Sequence, residues 1–246
     1  MSSLSPGVTL AARYQIVDRV DTDLTSVDAW SGRDTVLDRM VRIDVVSGPS
    51  APVALDSARR AALVSDSRIA RVLDVGVSDD VSYVVSEPAA GTSLTTLVDR
   101  GLCSPSRARS IVGEAAAALE VARRRGVHHL ALRPDAVRVT HGSVQITGLG
   151  LDAGAAGARP ASADEDSRAD TVALVALLHY LTTARWGGAD LDQPWLVDEA
   201  PARSRHVTTP TGPPRCPTRS LPTSPTSRGA PSPATPPTAH APPQRW

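Results

Sequence analysis

The chain has 246 residues, enough for one large domain or two small ones. It is 41% hydrophobic and 21% charged, as in an ordinary globular protein, and it contains no Lys, Asn or Phe. The absence of Lys excludes Schiff-base chemistry and a lysine-based phosphate-binding loop. We attribute these absences to a bias toward GC-rich codons.

Charge is unevenly distributed along the chain. All 26 acidic residues and 20 of the 26 Arg lie before position 201, whereas residues 201–246 carry six Arg, 13 Pro and no acidic residue. Such a segment buries too little apolar surface to offset the entropy of ordering, so we predict a disordered tail. A frameshift in GC-rich DNA would produce the same abrupt change in composition, and both interpretations stay open.

Composition also bears on compartment and partners. Cys103 and Cys216 are too isolated to form a disulfide framework or a zinc site. The first residues lack the apolar core of a signal peptide, and no stretch reaches the ~18 apolar residues of a membrane span. We therefore expect a cytoplasmic chain with no membrane insertion.

The arginines at 123–125 end a predicted helix, where cations complement the helix dipole, so we expect no nucleic-acid binding.

The first part of the chain predicts a small, mostly antiparallel sheet with one helix. Short alternating apolar runs predict strands, and apolar residues on one face predict a helix over residues 55–64. The predicted strands cover residues 14–19, 27–30, 41–46, 72–77 and 81–86.

The second part predicts helices. Ser104 followed by Pro105 is typical of a helix start, and Gly126 marks the end of that helix. Two short strands at 137–140 and 144–147 precede a small-residue loop over 152–163. A helix over 171–181 is apolar on nearly every side, which predicts a buried helix.

Two features that suggest metal binding have plainer interpretations. His128 and His129 are adjacent, so their side chains point apart, and no third ligand is near in sequence. The acids at 164–166 fit a solvated loop. We therefore expect a structural role for the histidines and no metal site.

The order of these elements resembles that of an actinobacterial Ser/Thr protein kinase. The resemblance covers about residues 10–186 and implies an α+β, bilobal protein kinase-like fold. It implies a β-rich N-lobe at residues 1–87, a partial, truncated C-lobe at 88–200, and a tail at 201–246. The segments that carry it are residues 12–16, 34–39, 69–76, 83–94 and 126–134.

The resemblance places the family's catalytic positions on residues that lack the expected chemistry. The Gly-rich loop falls on residues 22–27, which contain no glycine, and the Mg²⁺-binding Asp-Phe-Gly motif reads Gly148-Leu149-Gly150. We therefore predict no catalytic, cofactor-binding or metal-ligating residue, and a chain that is not an enzyme. The other positions are Asp44 for the phosphate-clamping Lys, Ser57 for its Glu partner, Ala131 for the base and Ala136 for the metal-binding Asn.

Some positions of the family's scaffold are kept. His129 falls on the histidine of the catalytic loop, which packs structurally in kinases, and Arg133-Pro134 keeps a basic residue and a turn. Asp170 falls at the start of the central helix, where it is expected to organise the backbone of the catalytic loop.

Three segments, residues 4–7, 69–76 and 170–186, carry a narrower resemblance within the superfamily. In these segments the chain resembles the pseudokinase domain linked to the peptidoglycan-precursor flippase MviN. That domain is phosphorylated on Thr and then docks a forkhead-associated (FHA) domain protein, which restrains cell-wall synthesis. The resemblance implies an FHA-domain protein, an upstream Ser/Thr kinase and a flippase as partners. Candidate phosphorylation sites in the tail are Thr208, Thr209, Thr211, Thr223 and Thr226.

Two further hypotheses stay open. The chain could be an ATP-dependent Ser/Thr kinase with displaced catalytic residues and atypical residual activity. It could also be the product of a decayed gene.

Overall fold

In a computed structural model, which describes residues 4–140, 142–158 and 161–186, the chain begins with a six-stranded antiparallel sheet. The strand order is β1-β2-β3-β4-β6-β5, and helix α1 (Ala51–Ala61) packs against β5 and β6. The strands are β1 (Thr9–Leu10), β2 (Tyr14–Val20), β3 (Val27–Asp34), β4 (Arg39–Val46), β5 (Val72–Ser78) and β6 (Val81–Ser86).

Alternation of side chains builds the core of this sheet. Trp30 on β3 lies opposite Ile43 on β4, and both are buried with Tyr14, Ile16 and Val85. The predicted strands are therefore present, although β3 continues to Asp34 and β4 begins at Arg39. Helix α1 begins at Ala51, before its predicted start, because Pro52 suits a first helical turn.

The second part is helical around a three-stranded sheet in the order β7-β8-β9. Ser104 caps α3 by accepting a hydrogen bond from the Arg107 amide, and Pro105 is the first helical residue, as predicted. The small residues Ala108, Ala115 and Ala118 let α3 pack closely against α5, where Leu177 and Leu181 are fully buried. The elements are β7 (Thr92–Ser93), α2 (Leu94–Asp99), α3 (Pro105–Arg123), β8 (Val137–Val139), β9 (Val144–Ile146), α4 (Leu151–Ala155) and α5 (Ala163–Thr183).

Two sequence predictions in this part are wrong. The predicted loop 152–163 contains most of α4, and the acids at 164–166 form the first turn of α5 instead of a solvated loop. Ser162 accepts a hydrogen bond from the Glu165 amide, and the Glu165 carboxylate accepts one from the Ser162 amide, so the pair closes a capping box. Acidic side chains at a helix N-terminus also complement the helix dipole. Helix α5 is less enclosed than predicted, since Val175 is 62% exposed.

Several predictions concern residues outside the described part of the chain. These are the disordered tail, Cys216 and the five candidate threonines. The domain boundaries at residues 87 and 200 stay predictions. Among the described residues, no helix is long and apolar enough to cross a membrane.

Contact between α1 and α4 joins the two parts of the fold. Gly154 on α4 lies directly against the backbone of Ala54 on α1, and a Cβ atom at Gly154 would collide with it. Gly113 on α3 has open space instead, with no neighbour within 4 Å of a Cβ built there. The two glycines therefore form a matched pair.

We expect Gly154→Ala to lower the free energy of unfolding by about 1–3 kcal/mol, because the new methyl group overpacks the α1–α4 contact. Gly113→Ala should raise it by roughly 0.5–1 kcal/mol, since alanine is the better helix former. Urea denaturation measures both. Equal effects of the two substitutions would contradict the packing argument.

Asp34 holds the turn between β3 and β4. Its buried carboxylate accepts hydrogen bonds from Arg13 Nε and Nη2 at 2.9 and 2.8 Å, and from the amides of Val36 and Leu37 at 3.1 and 3.2 Å. The hydrogen bonds from Arg13 hold the pKa of Asp34 well below its usual range.

A depressed carboxyl pKa stabilises the fold above the pKa of the unfolded chain, and this contribution disappears as the pH falls through the folded-state value. We therefore expect Asp34→Asn to lower the melting temperature at pH 7. The deficit should persist down to about pH 4 and shrink below it. Thermal unfolding across pH 2–8 tests this, with the exposed Asp99→Asn as control. A deficit that is unchanged at pH 2 would show that the charge of Asp34 is not responsible.

Candidate functional site

A cavity of about 540 Å³ lies between the six-stranded sheet and the helical part. Its walls come from the β2–β3 loop, β4, β6, and the segments around residues 133–138 and 147–152. Its lining is strongly charged: Asp21, Asp23, Asp44, Asp135, Asp152, Arg42, Arg133 and Arg138.

On β4, a carboxylate and a guanidinium form a pair. Asp44 occupies the position expected for the phosphate-clamping Lys and is 3% exposed. Arg42, two residues earlier, donates from Nε to both carboxylate oxygens at 2.9 Å, and its Nη2 lies 2.7 Å from Oδ1. Burial raises the pKa of Asp44, and the charge of Arg42 opposes that rise. Position 44 therefore carries a carboxylate where the family has the positive charge of a lysine. Arg42 brings a positive charge to the cavity instead, and that charge is paired with Asp44.

Arg133 is the centre of a second charged group. Its Nε and Nη2 donate to Asp23 at 2.5 and 2.6 Å, and its Nη1 donates to Asp152 at 2.5 Å. Burial of Arg133 acts to lower its pKa, but the adjacent Asp152 and Asp23 more than compensate, so the pKa of Arg133 is raised and it stays charged. Since Asp23 lies in the β2–β3 loop and Asp152 on α4, one guanidinium connects both walls of the cavity.

Asp152 takes the place of the side chain that Gly148 lacks. A Cβ atom built on Gly148 would fall on the carboxyl group of Asp152. Gly148 and Gly150 both have positive φ, at 76° and 78°, and a Cβ on Gly150 would meet the carbonyl oxygen of Ser57. This turn therefore requires glycine for steric reasons, and a carboxylate from the next helical turn fills the space beside Gly148.

The segment that precedes Arg133 is fixed by Asp170 on α5. The buried Asp170 carboxylate accepts hydrogen bonds from the amides of His129 and Leu130 at 2.9 and 2.8 Å. His129 is fully buried, and its Nε2 lies 2.9 Å from the carbonyl oxygen of Thr147. Asp170 and His129 thus have the structural roles that the resemblance implies.

The remaining aligned positions place no charged side chain in the cavity. Ala131 and Ala136 are each 1% exposed, and Leu149 is part of the helical core. Ser57 on α1 accepts a hydrogen bond from Arg60 at 2.9 Å instead of an ion pair.

Residues flagged for metal or nucleic-acid chemistry lie elsewhere. His128 Nε2 lies 3.1 Å from Ser167 Oγ, on the opposite side of the loop from His129. Arg123 and Arg124 pair with Glu120 at the end of α3. Across the described residues, no group of three His, Cys, Asp or Glu side chains is arranged to hold a metal ion.

Sequence reasoning missed Arg42, Asp23 as a pairing residue, and Asp152. Arg42 and Asp152 act from positions that the family's motifs do not use. Asp23 lies in the segment that falls on the Gly-rich loop, but nothing in that segment indicates its partner Arg133. For Asp152, the sequence offers one signal, its spacing of four residues from Gly148. Residues four apart lie close together when a helix begins between them, so this spacing indicates that the Asp152 carboxylate can lie beside Gly148.

Comparisons with known proteins agree with this fold. A probable serine/threonine-protein kinase of Clostridium acetobutylicum is 25% identical over 194 residues, covering 76% of this chain and 28% of the relative. A second from Clostridium perfringens is 30% identical over 131 residues, covering 52% of this chain and 18% of the relative. The chain thus spans less than a third of the length of these curated relatives. No protein family model matches it.

Solved structures give the same result. The kinase domain of PknI from Mycobacterium tuberculosis has a TM-score of 0.62 at 22% identity, over 75% of this chain and 79% of that domain. Rad53 in complex with AMP-PNP has a TM-score of 0.61 at 17% identity, over 74% of this chain and 52% of that one. The chain therefore has the protein kinase-like fold, and its sequence is similar to Ser/Thr protein kinases. This confirms the predicted α+β, bilobal, protein kinase-like architecture.

The prediction that the chain is not an enzyme is wrong by these comparisons. Its relatives are named Ser/Thr protein kinases and its structural neighbours are kinase domains, which points toward kinase activity. The physical reason for the error is that the prediction compared residues position by position. Asp152 supplies a carboxylate beside Gly148, and Arg42 supplies a cation beside Asp44, from positions that such a comparison does not consider.

We expect Asp170→Ala to lower the free energy of unfolding by about 3 kcal/mol, because it leaves two buried amides without acceptors. Asp164→Ala, at an exposed position in the first turn of the same helix, should cost only about 0.5 kcal/mol. Chemical denaturation measures both. A cost for Asp170→Ala as small as that of Asp164→Ala would contradict this role.

Proposed function

We propose that this chain is a regulatory, protein-binding member of the Ser/Thr protein kinase-like superfamily. We propose as its partner an FHA-domain protein that reads phosphothreonine after an upstream Ser/Thr kinase has acted, in the control of cell-wall synthesis. This partner is the one implied by the resemblance to the MviN-linked domain.

The arrangement of charges in the cavity is the observation that carries this proposal. Arg42 is paired with Asp44, and Arg133 with Asp23 and Asp152, so these cations are neutralised by the protein's own carboxylates. Of these pairs, the one between Asp23 and Arg133 spans the two lobes and stabilises their relation to each other. A lobed scaffold held in one arrangement is suited to presenting surfaces to a protein partner.

The sequence gives a second observation that supports this proposal, namely the five threonines at 208, 209, 211, 223 and 226. They lie among Arg and Pro in a segment without acidic residues. A phosphate there would carry about −1.5 to −2 charges and strong acceptor oxygens, which is what an arginine-based phosphothreonine site recognises.

We expect the chain to be retained by an immobilised FHA domain after treatment with a cellular Ser/Thr kinase. Retention should fall at least tenfold after phosphatase treatment, which is the matched control. Replacing the five threonines with Ala should have the same effect. Equal retention of the phosphorylated and dephosphorylated chain would refute the proposal.

The position of Asp152 favours a second candidate function, ATP-dependent phosphoryl transfer with displaced residues. A carboxylate in the place of the missing side chain of Gly148 is a hard oxygen donor of the kind that Mg²⁺ prefers. The names of the relatives favour the same function.

This candidate predicts transfer of the γ-phosphoryl group from labelled ATP to a protein substrate in the presence of Mg²⁺ or Mn²⁺. Asp152→Asn should reduce the transfer at least tenfold, whereas Asp164→Asn should leave it unchanged. Label incorporation measures the transfer, and thermal unfolding verifies that both variants are folded. No transfer by the unaltered chain would rule this function out.

A further inference from the structure

The β2–β3 loop, residues 21–26, reaches across the cavity to the helical lobe. It connects two strands of the N-terminal sheet, yet its polar side chains contact residues more than a hundred positions away in sequence. Ser26 Oγ donates to the carbonyl oxygen of Ala155 at 2.7 Å, and Asp23 accepts from Arg133 at 2.5 and 2.6 Å.

The contact between Asp23 and Arg133 has the geometry of a strong ion pair. Both carboxylate oxygens of Asp23 accept from different nitrogens of one guanidinium, which is the two-point arrangement that fixes direction as well as distance. The Arg133 side chain is 13% exposed and that of Asp23 is 29% exposed, so bulk salt screens the pair less than a surface pair.

Contacts within the helical lobe also hold Arg133, apart from its contact with the loop. Asp152, which is 6% exposed on its side chain, holds Nη1 from within the helical lobe, and the carbonyl oxygen of Ala131 accepts from the same nitrogen at 3.2 Å. The ion pair to Asp23 therefore joins a fixed cation to a carboxylate on a surface loop.

Asp21 gives a comparison within the same loop. It also lines the cavity, but within the described residues it makes no hydrogen bond or ion pair. Asp21 and Asp23 thus lie two residues apart in the same loop, and of the two it is Asp23 that pairs with a residue of the helical lobe.

We propose that Asp23 and Arg133 form a latch that keeps the β2–β3 loop closed over the cavity between the lobes. While the latch is closed, Asp23 occupies the two guanidinium nitrogens that would otherwise face the cavity. Release of Asp23 frees the loop, exposes those nitrogens and opens the cavity. The latch uses the same Asp23–Arg133 pair that supports the proposed protein-binding function, but its test follows the loop alone and needs no binding partner.

Hydrogen–deuterium exchange of the full chain tests the latch. We expect Asp23→Asn to speed amide exchange in peptides covering residues 20–27 by about tenfold, the effect of losing one charge-assisted hydrogen bond. Asp21→Asn is the matched control and should change the same peptides less than twofold. Peptides of α3 should be unaffected in both variants.

A double-mutant cycle shows whether Asp23 acts through Arg133. Arg133→Gln should speed exchange of the loop peptides as much as Asp23→Asn, and the combined variant should show no further increase in those peptides. If Arg133→Gln does not fold, Arg133→Lys takes its place, because lysine keeps the charge but loses the two-point contact, and loop exchange should accelerate without a change in α3. The latch is refuted if Asp23→Asn matches Asp21→Asn in the loop, or if α3 accelerates as much as the loop.

Discussion

The fold depends on the buried carboxylate of Asp170, which lies about two turns into α5 and not at its start, where the resemblance had placed it. The segment between α3 and β8 contains one short 3-10 turn, Pro134–Ala136, and Leu130 before that turn has a positive φ of 56°. Asp170 accepts hydrogen bonds from two successive amides of this segment and so compensates for the strained backbone. Because His129 and Leu130 are fixed, the chain leaves the segment in the direction that brings Arg133 to the wall of the cavity.

Around Arg133, the arrangement of the cavity walls depends on ion pairs. Two of the three guanidiniums in the described lining of the cavity are met by carboxylates, Arg42 by Asp44 and Arg133 by Asp23 and Asp152. The third, Arg138, donates to the carbonyl oxygen of Gly91. A charge removed from water is tolerated only when it is paired, so these residues stabilise the cavity only as sets. The two lobes are therefore joined by a polar network in the cavity as well as by the close α1–α4 packing at Gly154.

The site shows why a comparison of single positions gave an incomplete description. At Gly148 the sequence lacks a carboxylate, but the positive φ of the glycine and the start of α4 place the Asp152 carboxyl group in that space. At Asp44 the sequence has the opposite charge to that expected, but Arg42 points to the same face of β4 because side chains alternate along a strand. Both arrangements arise from the local geometry of a helix start and of a strand, which place a carboxylate beside Gly148 and a guanidinium beside Asp44.

The sequence by itself determined the strands, the start of α3, the kinase-like order of elements and the structural role of Asp170. These follow from local signals, namely alternation of apolar residues, the Ser104-Pro105 start and a residue whose position in a known motif fixes its partners. The tertiary structure alone decided that α4 exists, that the acids at 164–166 begin a helix, and that Arg42, Asp23 and Asp152 share one cavity with Arg133. Asp23 and Arg133 are 110 residues apart, and contacts between such distant residues depend on how the lobes pack, which no local pattern records.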